Sequence, residues 1–386
     1  MKLPDDIEQM RRATSKLVDS LLAHEPAFHR TNEVAPAVEA AFREQGYYGM
    51  RIPESFGGTE LGMLATVAVV SELGRLPPQF WSFLRVALGP ATKTLVRHGS
   101  VEQQQRWLPA IADGKVGIAF VLTEPEAGSD LSAMRTFARR VDDDYVIDGN
   151  KTYISNADRA DLFVVYARTS TTARLKGGIS AFLIEAGQPG MHVGPPMPTM
   201  GTTHHGLFEV SFDSCRVPQN CLLGEEGQGF SYAMESLNDG RLNVGAIAVG
   251  MGSYALALAV EHTNTRVAFG QPISANQTVQ HMLANAAMEM HAARLMLLDA
   301  AIRVDAGEDA SGLSAMVKVY CSEAAGRVID TAVQLFGAAG YSRGVPVERL
   351  YRDVRVLRIY EGASEILRNA IARKVLSGDG HASGIS

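Results

Sequence analysis

The stretch Tyr145-Val146-Ile147-Asp148-Gly149-Asn150-Lys151-Thr152-Tyr153-Ile154 decides how the chain divides. Its side chains alternate with a period of two, the repeat of a pleated strand. The Asp-Gly pair at its middle predicts a hairpin, because these residues tolerate the positive φ angles of a tight turn. Phe163-Val164-Val165-Tyr166 and residues 179–184 and 207–212 repeat the pattern between Gly and Pro breaks. Residues 117–226 are therefore expected to form a middle domain, antiparallel and β-barrel-like. Upstream the apolar positions recur at helical spacing: Leu17, Leu21 and Leu22, then Val38, Ala41 and Phe42, then residues 61–75 and 88–97. Gly57-Gly58 and Pro77-Pro78 break these into separate helices of an N-terminal helical domain over 1–116. Downstream, helical periodicity over 232–269, 277–306, 313–336 and 363–376 predicts a C-terminal four-helix bundle spanning 227–386. The expected fold is mainly α with a central β domain.

Composition narrows the function. At 386 residues the chain is too long for one simple core, so subdomains sharing buried surface are expected. A formal net charge of −6 gives no generally basic surface, and no nucleic-acid partner is expected. Cys215, Cys221 and Cys321 form no Cys-x-x-Cys pair; they read as packing residues of a protein in a reducing cytoplasm, with no metal site. The start, Met1-Lys2-Leu3-Pro4-Asp5-Asp6, is acidic where a targeting peptide is basic. The uncharged run over 244–260 has 17 residues and several glycines. It falls short of the roughly 20 apolar residues of a bilayer span, so a buried bundle helix and no membrane partner are expected. The His204-His205 pair lacks further ligands and reads as a loop, and the tail after Ser377 reads as disordered.

Four segments carry chemistry. In Phe120-Val121-Leu122-Thr123-Glu124-Pro125-Glu126-Ala127-Gly128-Ser129-Asp130 a strand runs into a loop. There Ala127-Gly128-Ser129 lets the backbone approach a ligand, and the Thr123 and Ser129 hydroxyls can bond an electron-rich ring edge. Lys151-Thr152-Tyr153-Ile154-Ser155-Asn156 sets a flat ring beside a hydroxyl. Arg266 with Phe269, Gly270 and Gln277 offers a guanidinium fork and an aromatic face. Gln334-Leu335-Phe336-Gly337 is followed by Arg352-Asp353 and then Ile359-Tyr360-Glu361-Gly362, an acid among apolar neighbours in a break before the final helix.

In this order and spacing the segments resemble the acyl-CoA dehydrogenase family over nearly the whole chain. The resemblance implies bound FAD, with Phe120, Leu122 and Thr123 at the isoalloxazine and Gly128 and Ser129 nearer the pyrophosphate and thioester. Tyr153, Ile154 and Ser155 would cover the ring, and Ala363 and Glu365 would lie beside the phosphates. Arg266, Phe269 and Gln277 would meet the adenosine end across a subunit boundary, with Arg266 at a pyrophosphate charge, and Gln334 and Gly337 would also bind the cofactor. A homo-oligomer, a dimer of dimers, is then expected. Ser129, Asn238, Arg241 and Gly362 are similar to positions that hold the substrate.

The α hydrogen of a thioester is weakly acidic and the β hydrogen leaves as hydride, so the site must supply a base and a hydride acceptor. A carboxylate enclosed beside a flat apolar cofactor should have its pKa raised toward the working pH. Glu361 is that candidate base, and its backbone N–H could hold the thioester oxygen. Some subfamilies place the base at what is here Gly240, which leaves the role to Glu361. The expected reaction is FAD-dependent α,β-dehydrogenation of a saturated acyl thioester, carried on coenzyme A or an acyl carrier protein, to the trans-2-enoyl thioester. The electrons would pass to an electron-transfer flavoprotein. A second class on the same fold lets reduced flavin react with oxygen as an oxidase or monooxygenase; a glutamate at 361 favours the dehydrogenase.

Overall fold

The computed structural model describes residues 2–31, 33–202 and 206–377. Helices come first: α1 Asp5–Leu22, α2 Glu25–Thr31, α3 Pro36–Glu44, α4 Met63–Leu73, α5 Pro78–Ala87, α6 Pro90–His98 and α7 Val101–Ala112. Proline opens α3 and α6, where its fixed φ suits the first turn and its missing N–H costs nothing. The Pro77-Pro78 break likewise begins a helix, α5, which the sequence pattern did not reveal. Ser100 and Gln103 close a capping box at the start of α7.

Strands follow: β1 Ile118–Val121, β2 Phe137–Val141, β3 Asp144–Ser155, β4 Leu162–Arg168, β5 Ile179–Glu185, β6 Met191–Val193, β7 Leu207–Pro218 and β8 Leu222–Leu223. Their order is β6-β7-β3-β2-β4-β5-β8, with β1 added to β4. Most pairings are antiparallel, but β1–β4 and β2–β4 run parallel.

The predicted hairpin at Asp148-Gly149 is not formed. β3 is one continuous strand of 12 residues, and its register with β7 slips between Ile147 and Gly149. Gly149 takes φ +150° at this slip, and Asp148 Oδ1 accepts a hydrogen bond from the Ser214 N–H at 2.7 Å. The Asp-Gly pair thus makes a bulge. The long partner β7 offers pairing on both sides of it, which folding back would forfeit. The turn lies at Asp142-Asp143, between β2 and β3, with Asp142 at φ +56°.

The second helical part comprises α8 Gly229–Thr265, a miniature hairpin of β9 Val267–Ala268 and β10 Gln271–Pro272, α9 Gln277–Asp305, α10 Ser311–Phe336, α11 Pro346–Val354 and α12 Ser364–Leu376. The helix expected over 232–269 therefore ends at Thr265. Phe269 and Gly270, at φ +52° and +83°, form the tip of the hairpin, the left-handed pair a two-residue loop requires. α11 was not foreseen. α8 is long and apolar enough to cross a membrane by composition, but 61% of its most apolar window is buried within the protein. Gly250 lets it approach α4 closely, since a Cβ there would strike the Ser71 carbonyl.

The N-terminal helices and the bundle share one hydrophobic core, and the sheet holds a second on its other side. Buried Arg349 on α11 ties the parts together. Its Nε donates to Glu25 Oε1 on α2 at 2.7 Å and its Nη1 to Asp353 Oδ2 at 3.2 Å, while Asp353 Oδ1 accepts from the Thr202 N–H at 2.8 Å. Cys215 and Cys321 are buried and Cys221 half-buried. Burial pushes the thiols up, to about 11 at Cys215 and Cys221 and about 12 at Cys321, as packing residues require. His204-His205 and the tail after Ser377 lie outside the described residues.

Candidate active site

The first two segments are built on each other. Where β1 ends, Glu124 turns inward and is 3% exposed. Its carboxylate accepts from Lys151 Nζ at 2.9 Å and from the backbone N–H groups of Arg135 at 2.6 Å and Thr136 at 3.0 Å. Burial opposes ionisation of Glu124, but the Lys151 charge and these hydrogen bonds outweigh it and hold the carboxyl below its ordinary range. Burial pushes Lys151 down to about 8 despite its partner. Lys151 also donates to the Leu122 carbonyl at 3.0 Å, and the Thr152 N–H donates to the Thr123 carbonyl at 3.0 Å. The loop after β1 and the second half of β3 are thereby one unit.

That unit presents a defined edge. The β3–β7 register slips again between Lys151 and Ile154, and Tyr153 takes φ +58° and is 61% exposed. Ile154 and Leu122 are buried, and Phe120, Thr123 and Ser155 are half-buried. Gly128 and Ser129 are exposed, with open space where a Gly128 Cβ would stand. The Phe120 ring packs 5.0 Å from that of Tyr166. The Tyr166 hydroxyl meets Thr94 Oγ1 at 3.1 Å, and Thr94 Oγ1 meets Ser236 Oγ at 2.9 Å, which ties the strand to α8 one turn before Gly240.

On α8 that next turn faces Glu361. Glu361 and Gly362 lie in the break before α12 at φ +53° and +99°. The Glu361 carboxyl rests against Gly240: a Cβ at that position would lie 2.9 Å from its Cδ and closer still to Oε2. Arg241 Nε donates to the Glu361 carbonyl at 3.4 Å, and Arg241 Nη1 donates to Asn238 Oδ1 at 2.7 Å. Burial lowers the Arg241 pKa against the opposing pull of the Glu361 charge. Lys318 of α10 donates from Nζ to the Gly362 carbonyl at 2.6 Å. Glu361, Gly362, Asn238 and Arg241 are thus brought together. Lys318 was missed; its signal was a lysine between Val317 and Val319 in an otherwise apolar helical run.

Sequence models of three acyl-CoA dehydrogenase domains match the chain end to end: the N-terminal domain at residues 4–115, the middle domain at 119–215 and the C-terminal domain at 227–376. The chain belongs to the acyl-CoA dehydrogenase family. It is 40% identical over 335 residues to the acryloyl-CoA reductase (NADH) of Anaerotignum propionicum, covering 86% of this chain and 84% of that one. The solved butyryl-CoA dehydrogenase of Megasphaera elsdenii superposes with a TM-score of 0.92 at 31% identity, covering 97% of this chain and 99% of that one. A structure of PigA with FAD and proline does so with a TM-score of 0.92 at 28% identity, covering 97% and 98%. This acyl-CoA dehydrogenase family member is accordingly an oxidoreductase.

Not every family position falls at one place. Arg266, Gln277, Gln334 and Gly337 are exposed, and Phe269 stands fully in solvent on its hairpin. The stacking of His262 on Phe336, with centroids 4.1 Å apart, sets the ends of α8 and α10 side by side, so these five residues share one end of the bundle. Most of α8 separates that end from Gly240 and Glu361, roughly 39 Å at about 1.5 Å of rise per residue. Ala363 caps α12, and Glu365 is exposed in its first turn, close to Glu361.

The residues present fit a flat ring with an electron-rich edge. The exposed Tyr153 ring, the Thr123, Ser129 and Ser155 hydroxyls and the open space beside Gly128 stand on one unit. Backbone strain marks the same places. Eight non-glycine residues among those described have left-handed φ, and Tyr153, Phe269 and Glu361 are three of them. Such conformations cost about 1–3 kcal/mol each and concentrate where function requires them.

Proposed function

We propose that this chain dehydrogenates a saturated acyl thioester across its α,β bond, with Glu361 as the base that takes the α proton. FAD, held by Phe120, Leu122, Thr123, Gly128, Ser129, Tyr153, Ile154 and Ser155, with Ala363 and Glu365 by its phosphates, supplies the acceptor for the β hydride. The observation that carries this reading is the Glu361 carboxyl lodged against Gly240, a place that only a missing side chain leaves open.

The protein's own groups do the rest. Glu361 takes the proton at its carboxylate, and its backbone N–H offers a donor to the thioester oxygen, stabilising charge that develops there. Arg241 fixes the Glu361 carbonyl and holds Asn238, which flanks the thioester arm. Ser129 and Gly362 border the same arm. The relative named acryloyl-CoA reductase works on the same α,β bond in the reducing sense. A base that takes a proton in one direction returns it in the other, so one carboxylate can serve either sense of the reaction.

Arg266, Phe269, Gln277, Gln334 and Gly337 lie at the end of the bundle where α8 and α10 finish, away from the Glu361 of their own chain. We assign them to the adenosine end of FAD bound by a second copy, in a homo-oligomer arranged as a dimer of dimers. An electron-transfer flavoprotein then takes the electrons, in the cytoplasm.

The test is a panel of saturated acyl-CoA and acyl-carrier-protein thioesters with a dye acceptor. The reading expects flavin-coloured protein, reduction of the flavin by at least one thioester, and slow reoxidation in air. Rapid reoxidation would transfer the protein to the oxygen-using class, and a protein that takes up no FAD would refute the reading.

A further inference from the structure

The cations beside Glu361 address its backbone. Arg241 Nε donates to the carbonyl of residue 361 and Lys318 Nζ to that of residue 362, so two successive carbonyls are each held by a different helix of the bundle. Both residues have left-handed φ, a conformation a non-glycine residue keeps only when its surroundings impose it. Lys318 is completely buried, which is costly for an ammonium unless it is paired and hydrogen-bonded. The contact it makes is a hydrogen bond from a charged donor to the Gly362 carbonyl, at 2.6 Å.

Resting on the assignment of Glu361 as the base, we propose that Lys318 is a positioning residue: its ammonium clamps the Gly362 carbonyl and so holds the Glu361 turn with the carboxyl against Gly240. The charged groups that face the ammonium are Glu361 in the turn, Arg241 on α8, Glu365 on α12 and Glu323 on α10 itself. Three of these four are acidic and favour the charged amine. Burial acts the other way and, as the largest influence, brings Lys318 down to about 8. The clamp is therefore strongest below that pH and weakens above it, as the ammonium loses its charge. It also places a positive charge near the base, so its loss makes the Glu361 carboxylate harder to form.

The experiment compares holoenzyme carrying Lys318→Met, Lys318→Arg or Glu361→Gln. For each, flavin absorbance and the unfolding midpoint establish the fold, and kcat is followed against pH. The wild type should lose rate above about pH 8, as the clamp loses its charge. Lys318→Met, which keeps the volume and removes the donor, should lose roughly 10- to 100-fold in kcat while retaining flavin, with its acid limb moved to higher pH. Lys318→Arg should recover most of that rate and lack the basic limb, because a guanidinium does not titrate there. A flavin-loaded Lys318→Met with the wild-type profile would overturn the proposal. Should the Met protein not fold, the Arg protein decides: an unaltered basic limb overturns it. If Glu361→Gln keeps its rate, the base assignment itself has failed, a result distinct from either of these.

Discussion

Two glutamates sit beside two buried lysines in this protein, and they are used in opposite ways. Glu124 meets Lys151 directly and also takes two backbone N–H groups, and its carboxyl is held below the ordinary range. A carboxylate so surrounded is a brace, because every proton it might accept costs hydrogen bonds already made. At Glu361 the lysine is turned to the Gly362 carbonyl and the arginine to the Glu361 carbonyl. The cations fix the backbone that carries the acid, while the carboxyl lies beside the empty flank of Gly240. The same pair of residue types thus builds a rigid wall at one place and an aimed side chain at the other; the difference lies in which atoms the ammonium holds.

Breaking the wall should give the largest effect on stability. Lys151→Met leaves a buried carboxylate without its cation, and denaturant unfolding should show a loss of about 3–5 kcal/mol together with loss of bound flavin. A loss below about 1 kcal/mol would place the pair among weak surface contacts and erase the contrast.

Breaking the aim should leave stability alone. Gly240→Ala puts a methyl where the Glu361 carboxyl rests. The obstacle is the far end of a flexible side chain, which swings aside cheaply, so the unfolding midpoint should stay level or rise as the helix gains alanine. The rate should fall by roughly 10²-fold, the scale expected for misplacing a reacting group by about 1 Å. Equal losses in stability and rate would show that Gly240 is there for packing.

Much of this arrangement could be read from the chain. The helix–strand–helix order follows from hydrophobic period, and the residues singled out around Glu361, namely Gly362, Arg241 and Asn238, are neighbours in the structure. What escaped depends on partners distant in sequence. Asp148-Gly149 reads as a hairpin turn in isolation and becomes a bulge because β7 is long enough to pair with both flanks. Phe269 reads as the end of a helix, but Gly270 after it makes a left-handed pair that turns the chain instead. Glu124 and Lys151 are 27 residues apart, and Lys318 and Gly362 are 44 apart. Neither spacing follows a local period.

Smaller effects sharpen the picture. Phe269→Ala removes an exposed aromatic face from the tip of the hairpin that follows α8. If that end serves a neighbouring copy, FAD affinity should fall by roughly tenfold, about 1.4 kcal/mol, when measured by flavin titration. An unchanged affinity would remove Phe269 from the cofactor site. Glu124 also predicts a pH signature. Its folded pKa is lowered, so its contribution to stability is present above the unfolded value near ~4.3 and disappears as the pH falls through the folded one. Glu124→Gln should be less stable than wild type at neutral pH, and the gap should narrow on acidification. A gap that widens instead would contradict the sign.

The most direct test of the central claim follows the α hydrogen itself. Wild type and Glu361→Gln, both flavin-loaded, are incubated with a reactive acyl thioester in D2O, and α-hydrogen exchange is read by NMR beside the rate of flavin reduction. The account predicts that the Gln protein keeps its colour and its thioester affinity while exchange and reduction both fall by about 10²–10⁴-fold. A Gln protein that still exchanges or turns over at about a tenth of the wild-type rate would show that another group takes the proton.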